Sequence, residues 1–200
     1  MVNCPITATA LPPLALALRA ATRAAHQRLD HHPRLQPLTA RDLPAERYAA
    51  ALAALHGLLK GTQDALAPRL RATTAYDPAA AFRCELIAAD LAQLGGSVGQ
   101  PAHIRAAADD ASAAGMLYVV EGSALGARSI ARHLAARHPA LPRRYFDAHA
   151  EHGAQRWPAF WHWAAQETAA PQGSARACAA ALALFDSYVD YLDGVDAQQK

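Results

Sequence analysis

Little in this sequence points to cross-links, a membrane or a β-sheet. Cysteine occurs three times in 200 residues, at Cys4, Cys84 and Cys178. The three are far apart and odd in number, which excludes a disulfide framework, and none has the short spacing of a zinc site. A reducing, cytoplasmic location is the expectation. No apolar run is long enough to span a bilayer. The stretch Ala8–Ala21 is interrupted by Arg19 and has no basic residues before it, so it reads neither as a span nor as a signal peptide. β-branched residues are too few and too scattered to build a sheet. Neither sign of charge dominates: 19 Lys+Arg stand against 17 Asp+Glu, a net of +2. The basic clusters Arg69–Arg71 and Arg143–Arg144 are short, so the dense stripe that binds nucleic acid is missing. No glutamate is followed three residues later by histidine, which excludes the ligand pattern of a di-iron carboxylate bundle. No G-x-G-x-x-G sits on a βαβ unit, so no internal flavin or nicotinamide site is expected.

What is present is alanine and punctuation. The chain is 52% hydrophobic and only 18% charged, too apolar for disorder, and much of the apolar share is helix-favouring alanine. Prolines and glycines separate segments of helical period. The first runs from Pro12-Pro13 to His32-Pro33, with Leu14, Leu18, Ala21, Ala25 and Leu29 as its stripe. The second runs from Pro44 towards Leu70, its face made by Tyr48, Leu52, Leu55, Leu59 and Leu66, with Gly57 and Gly61 loosening its middle. The third spans Pro78–Leu94, faced by Phe82, Leu86, Ala89 and Leu94, and ends at Gly95-Gly96. A fourth extends with breaks from Pro101 to His138. Two short helices follow at Pro142–Ala150 and Pro158–Glu167. The last begins at Ser174 as N-cap and buries Ala181, Phe185, Tyr188 and Leu192. The expectation is an all-α, single-domain bundle of six to eight helices over residues 1–200, with flexible tails at 1–12 and 195–200.

Two places carry chemistry. In the fourth segment, Gly115, Gly122 and Gly126 sit inside a helical pattern, each costing about 1 kcal/mol relative to alanine. Two offsets are open: close helix packing through the small-xxx-small spacing of Gly122 and Gly126, or backbone that must approach a flat ligand, with Ser123 as a small polar group beside it. In the first segment, His26 borders the apolar stripe, with Arg19 two turns away on the same face and Asp30 one turn on. A lone histidine there is usually a border residue and gains meaning only in a constellation.

The constellation comes from a resemblance. Leu18-Arg-Ala-Ala-Thr-Arg-Ala-Ala-His26 resembles the N-terminal helix of the heme oxygenase family, and Tyr118-Val-Val-Glu-Gly122-Ser123-Ala-Leu-Gly126-Ala127 resembles the distal helix of its bacterial branch. Between them, Asp90-Leu-Ala-Gln-Leu-Gly95 is similar to that branch's Asp-Leu-x-x-Leu-Gly helix ending. Weaker echoes continue through Tyr145-Phe146 and Trp157–Trp161 into the last segment, so the resemblance covers roughly Leu14 to Leu192. The resemblance implies heme, as substrate and cofactor, held between the first and the central glycine-containing helix. It implies His26 as iron ligand, Arg19 and Tyr118 as propionate contacts, and Gly122, Ser123 and Gly126 as the distal wall. It assigns Asp30 to orienting the His26 ring. The implied reaction is oxidative opening of heme to biliverdin, iron and CO, with electrons from a ferredoxin or flavin reductase. The implied recipient of the bilin is a photoreceptor, where the product is not simply a by-product of iron recovery. The sequence departs from the family's frequent Gly-Gly pair at Ala127 and from its common glycine after Arg143, which bears on pocket shape and regiochemistry.

Other readings stand beside it. A heme or bilin carrier of the same fold would use the same Arg19 and His26. A helical interaction module would need the glycines for packing alone. A hydrolase acting through Cys84 or Cys178 lacks a base beside either. Trp157, Trp161 and Trp163 are read as core packing, with a pocket wall as the functional alternative.

Overall fold

A computed structural model describes residues 12–73 and 75–197, without the side chains of 152–155 and 195–197. Six α-helices follow one another: α1 (Pro13–Asp30), α2 (Ala45–Leu66), α3 (Cys84–Gln93), α4 (Asp110–Arg137), α5 (Arg144–Glu167) and α6 (Gly173–Ala197). No strand occurs among the described residues, and the all-α expectation holds. None of these helices is long and apolar enough to cross a membrane. Of the expected tails, residues 1–11 and 198–200 lie outside the described residues, while α6 continues to Ala197.

α4 is the keel. It packs along α5 and α6; α1 lies on the other flank of α6, α2 packs on α3, and α3 on α5. The first half of α4 is buried almost all round, from Ala111 to Glu121, whereas Ser123, Leu125, Gly126, Arg128 and Ser129 in its second half are exposed. α1 and α4 thus share α6 as a neighbour and barely touch each other.

Several sequence expectations need correction. The stripe of α1 buries Thr22 instead of Ala21, and Thr22 satisfies its hydroxyl by donating to the Leu18 carbonyl at 2.8 Å. In α3 the buried face is Cys84, Ile87, Asp90 and Leu91, and Ala89 is exposed. Asp90 is drawn inside because it caps α5: its carboxylate accepts from the backbone N–H groups of Arg144 (3.3 Å) and Tyr145 (3.1 Å) and from the Arg144 guanidinium (3.1 Å). The Gly95-Gly96 ending is as expected. Gly95 takes φ +69°, and Gly96 N–H reaches back to the Leu91 carbonyl at 2.9 Å.

Gly57 and Gly61 do not loosen α2. They admit a neighbouring strap: a Cβ on Gly57 would stand 2.4 Å from the Gln100 carbonyl, and one on Gly61 2.1 Å from that of Ala102. The Ala102 N–H bonds the Gly57 carbonyl at 2.9 Å. Residues 101–109 therefore run as irregular chain along α2, and α4 starts only at Asp110. Asp109 caps it, accepting from Ser112 N–H at 2.7 Å.

The two short helices expected after Pro142 are one, α5, with Pro158 inside it. An interior proline costs about 3 kcal/mol. Burial of Phe160, Trp163 and Ala164 just after it offsets that cost, each large side chain contributing about 2 kcal/mol. Ser174 is not the N-cap of α6 but its second residue, after Gly173. The predicted buried face of α6 holds at Ala181, Phe185, Tyr188 and Leu192.

Candidate functional site

The helical period of α1 puts Leu16, Arg19, Arg23, His26 and Asp30 in one line, and all five are exposed. The line runs beside the buried stripe, and its side chains are largely left to solvent. His26 is more than half exposed, and its Nδ1 lies 2.8 Å from the Asp30 carboxylate one turn on. That contact makes Nδ1 the protonated nitrogen and leaves Nε2 with its lone pair. The edge of Phe185, from α6, packs against the ring at 5.6 Å between centroids. Arg19 is two turns from His26, roughly 10 Å along the axis, and makes no ion pair among the described residues.

The three glycines of α4 separate into two kinds. Gly115 is a packing glycine: an added Cβ would stand 2.0 Å from the Ala177 carbonyl of α6. Gly122 has only Trp157 of α5 near it, at 3.7 Å, and Gly126 has nothing within 4 Å. The small-xxx-small pair therefore holds no second helix backbone close: it leaves a side of α4 without Cβ atoms, beside Leu125, which is 63% exposed. Tyr118, one turn before Gly122, is partly buried against Trp157 and Trp161, with centroids 6.2 and 5.9 Å away. Both tryptophans pack on the core, as expected, and Trp157 also borders Gly122. The Trp161 indole N–H is buried without a hydrogen-bond partner among the described residues.

Two polar clusters sit behind this face, and neither was legible in sequence. Glu121 is buried and accepts from the Tyr76 hydroxyl at 2.8 Å and from Arg156 Nε at 2.9 Å. The Arg156 guanidinium also lies over the Tyr76 ring, 5.0 Å from its centroid. Burial first, then the Glu121 charge, holds the Tyr76 hydroxyl far above its ordinary pKa. This cluster fixes α4 to α5 one residue before Gly122. The second cluster joins Ser123 Oγ to His149 Nε2 at 2.9 Å, and His149 Nδ1 to Arg83 at 3.1 Å. His149 and Arg83 have no shared motif or spacing, and only the packing of α3 against α5 brings them together.

The sequence-predicted residues thus form two sets. His26 and Arg19 share the exposed line of α1; Tyr118, Gly122, Ser123 and Gly126 share one side of α4. No contact joins the two sets. Comparison with known proteins now decides the family. The heme oxygenase family model matches residues 12–193. The chain belongs to the heme oxygenase family. A heme oxygenase from Xanthomonas campestris pv. campestris (strain 8004) is 33% identical over 153 residues, which is 76% of this chain and 92% of that relative. The match extends from the N-cap of α1 almost to the end of α6, so both residue sets fall inside it.

The residues present fit the group on which that family is named. A heme needs an imidazole nitrogen for its iron, cations for its propionates and a flat surface over the ring. His26 offers an exposed imidazole with a carboxylate on its Nδ1 side, an arrangement that suits a ligating histidine. Arg19 is a cation with a planar fork suited to a carboxylate. The side of α4 lacking Cβ atoms at Gly122 and Gly126 has room for a flat ring. Among the described residues no three His, Cys, Asp or Glu side chains gather to hold a metal ion elsewhere.

Proposed function

We propose that this chain is a heme oxygenase that opens heme, with O2 and externally supplied electrons, to biliverdin, iron and CO. The observation that carries the reading is the His26–Asp30 pair at 2.8 Å: an imidazole oriented by a carboxylate, on an exposed helix line. When bound, heme supplies the iron that activates O2 and the meso carbon that is oxidised.

The residues divide the remaining work. Asp30 holds the Nδ1 proton of His26, so that Nε2 points its lone pair outward as the iron ligand. Arg19 would hold a propionate through two N–H groups and so fix how the heme is turned in its site. Tyr118 takes the second contact on that edge. Gly122 and Gly126 would let the α4 backbone come close to the ring. Ser123 Oγ is the polar atom available to order water on that side of α4. Trp157 stands beside Gly122 and excludes bulk water. Electrons come from a ferredoxin or flavin reductase, and the bilin passes to a photoreceptor or is the by-product of iron recovery.

An absorption titration with hemin tests the reading. A sharp heme band is expected, absent in His26→Ala, and in air with a competent electron donor it decays to the broad biliverdin spectrum. A band that forms and never decays replaces the enzyme by a carrier. No band in the unmutated protein ends the reading.

A further inference from the structure

His149 is 1% exposed, and each of its ring nitrogens has one partner. Arg83 Nη1 lies 3.1 Å from Nδ1. A guanidinium only donates, so Nδ1 is the acceptor and the ring proton sits on Nε2. Nε2–H therefore donates to Ser123 Oγ, 2.9 Å away. Ser123 directs its own hydroxyl proton to the Val120 carbonyl at 2.6 Å. Every hydrogen in the chain has a fixed destination, starting from a permanent cation and ending on the backbone of α4.

One position remains. A serine oxygen has two lone pairs, and His149 occupies one. The other belongs to an exposed residue on the open face of α4, between Gly122 and Gly126. We propose that His149 is a positioning residue: locked in one tautomer by Arg83, it holds Ser123 as a hydrogen-bond acceptor towards the ligand face of α4. That face then takes up a donor, a water or another O–H or N–H group, and Ser123 does not release its own proton to the ligand.

The surroundings keep the ring neutral and in place. Tyr145 stacks on it at 5.3 Å with the planes 14° apart. Burial, and the charges of Arg83 and Arg156, push the His149 pKa down to about 4. No carboxylate bonds the ring to oppose them. Histidine suits this task because a single ring supplies an acceptor and a donor on opposite sides, at fixed separation.

The tautomer is read from 15N-imidazole NMR of the protein without heme, so it stands or falls separately from the heme reading. The expected signals are a protonated Nε2 and an unprotonated Nδ1 that persist below pH 5. In Arg83→Met the preference for Nε2–H falls, giving a mixture. A protonated Nδ1, or a charged ring at pH 7, overturns the proposal. The acceptor role rests on the proposed heme site and is read from the acid–alkaline absorption change of the ferric heme complex. That change reports deprotonation of a water facing Ser123. Losing an acceptor favours the deprotonated form, so Ser123→Ala and His149→Phe are each expected to lower the midpoint by about 0.5–1 pH unit. The double variant should shift no further than either single one, and His149→Gln, which keeps a donor for Ser123, should stay near the unmutated value. Additive shifts, or a midpoint that His149→Phe leaves in place while Ser123→Ala moves it, overturn the role. Absence of any heme band in the unmutated protein refutes the heme reading and the acceptor role built on it, while the ring nitrogens still decide the tautomer.

Discussion

Gly115 and Gly126 stand eleven positions apart on one helix, and a methyl group added to each would meet opposite conditions. At Gly115 it runs into the Ala177 carbonyl. Gly115→Ala is expected to destabilise the protein by about 1–3 kcal/mol, the usual cost of overpacking. At Gly126 it meets open space, so Gly126→Ala should raise stability by about 0.5–1 kcal/mol through helix propensity alone. Urea unfolding of the two variants distinguishes them; equal losses would mean that Gly126 also packs. His149 gives a second test at this scale. Its folded pKa, about 4, lies below the ordinary 6.5. Between those values the unfolded chain binds a proton that the folded chain refuses. The stability contribution is complete above about pH 6.5, declines as the pH falls and is gone near pH 4, about 3 kcal/mol in all. Urea midpoints of the unmutated protein should fall across that window, and the fall should flatten in His149→Gln. His26, Arg19 and the three glycines stood out in the sequence because their neighbours within one helix gave them context. His149 did not, because its partners Arg83 and Ser123 are 66 and 26 residues away.

The same limit explains which helices were foreseen. α1, α2 and α6 have boundaries and periods set by their own residues, and the reading of each succeeded at most positions. α3 and α5 answer to each other. Asp90 looks like a surface residue at the end of a helix, yet it is buried because α5 needs an acceptor for its first N–H groups. Asp90→Ala should cost about 1–3 kcal/mol, since it leaves the buried Tyr145 N–H unpaired and takes the acceptor from the Arg144 N–H. Asp90→Asn should recover part of that cost, because its carbonyl still accepts; thermal melts of the pair measure both. A proline well inside a segment would ordinarily divide it. In α5 the apolar side chains around Pro158 pack across α4, and tertiary burial outweighs the local penalty.

At the scale of the molecule, the bundle presents α1 and α4 on either side of α6 without joining them. This arrangement follows from which faces are apolar, and so the all-α class was legible, while the strap over Gly57 and Gly61 was not, because backbone-on-backbone contact leaves no side-chain pattern. Under the proposed function, hemin at a hundredfold excess over its Kd should raise unfolding stability by about 2.7 kcal/mol. The gain should vanish in His26→Ala. Hydrogen exchange offers a map of the same event: added hemin should slow the amides of residues 122–133, whereas those of 111–121 should be slow already.

The division of α4 into a buried half and an open half has a kinetic meaning. The Glu121–Arg156–Tyr76 cluster clamps the helix at the point where it emerges from the core. Under the proposed function, a ligand arriving at Gly122 and Gly126 meets a wall held in shape by that clamp, and little ordering of the chain is charged against binding. Association governed by such a preorganised surface proceeds in one phase whose rate scales with ligand concentration, with no slow rearrangement behind it.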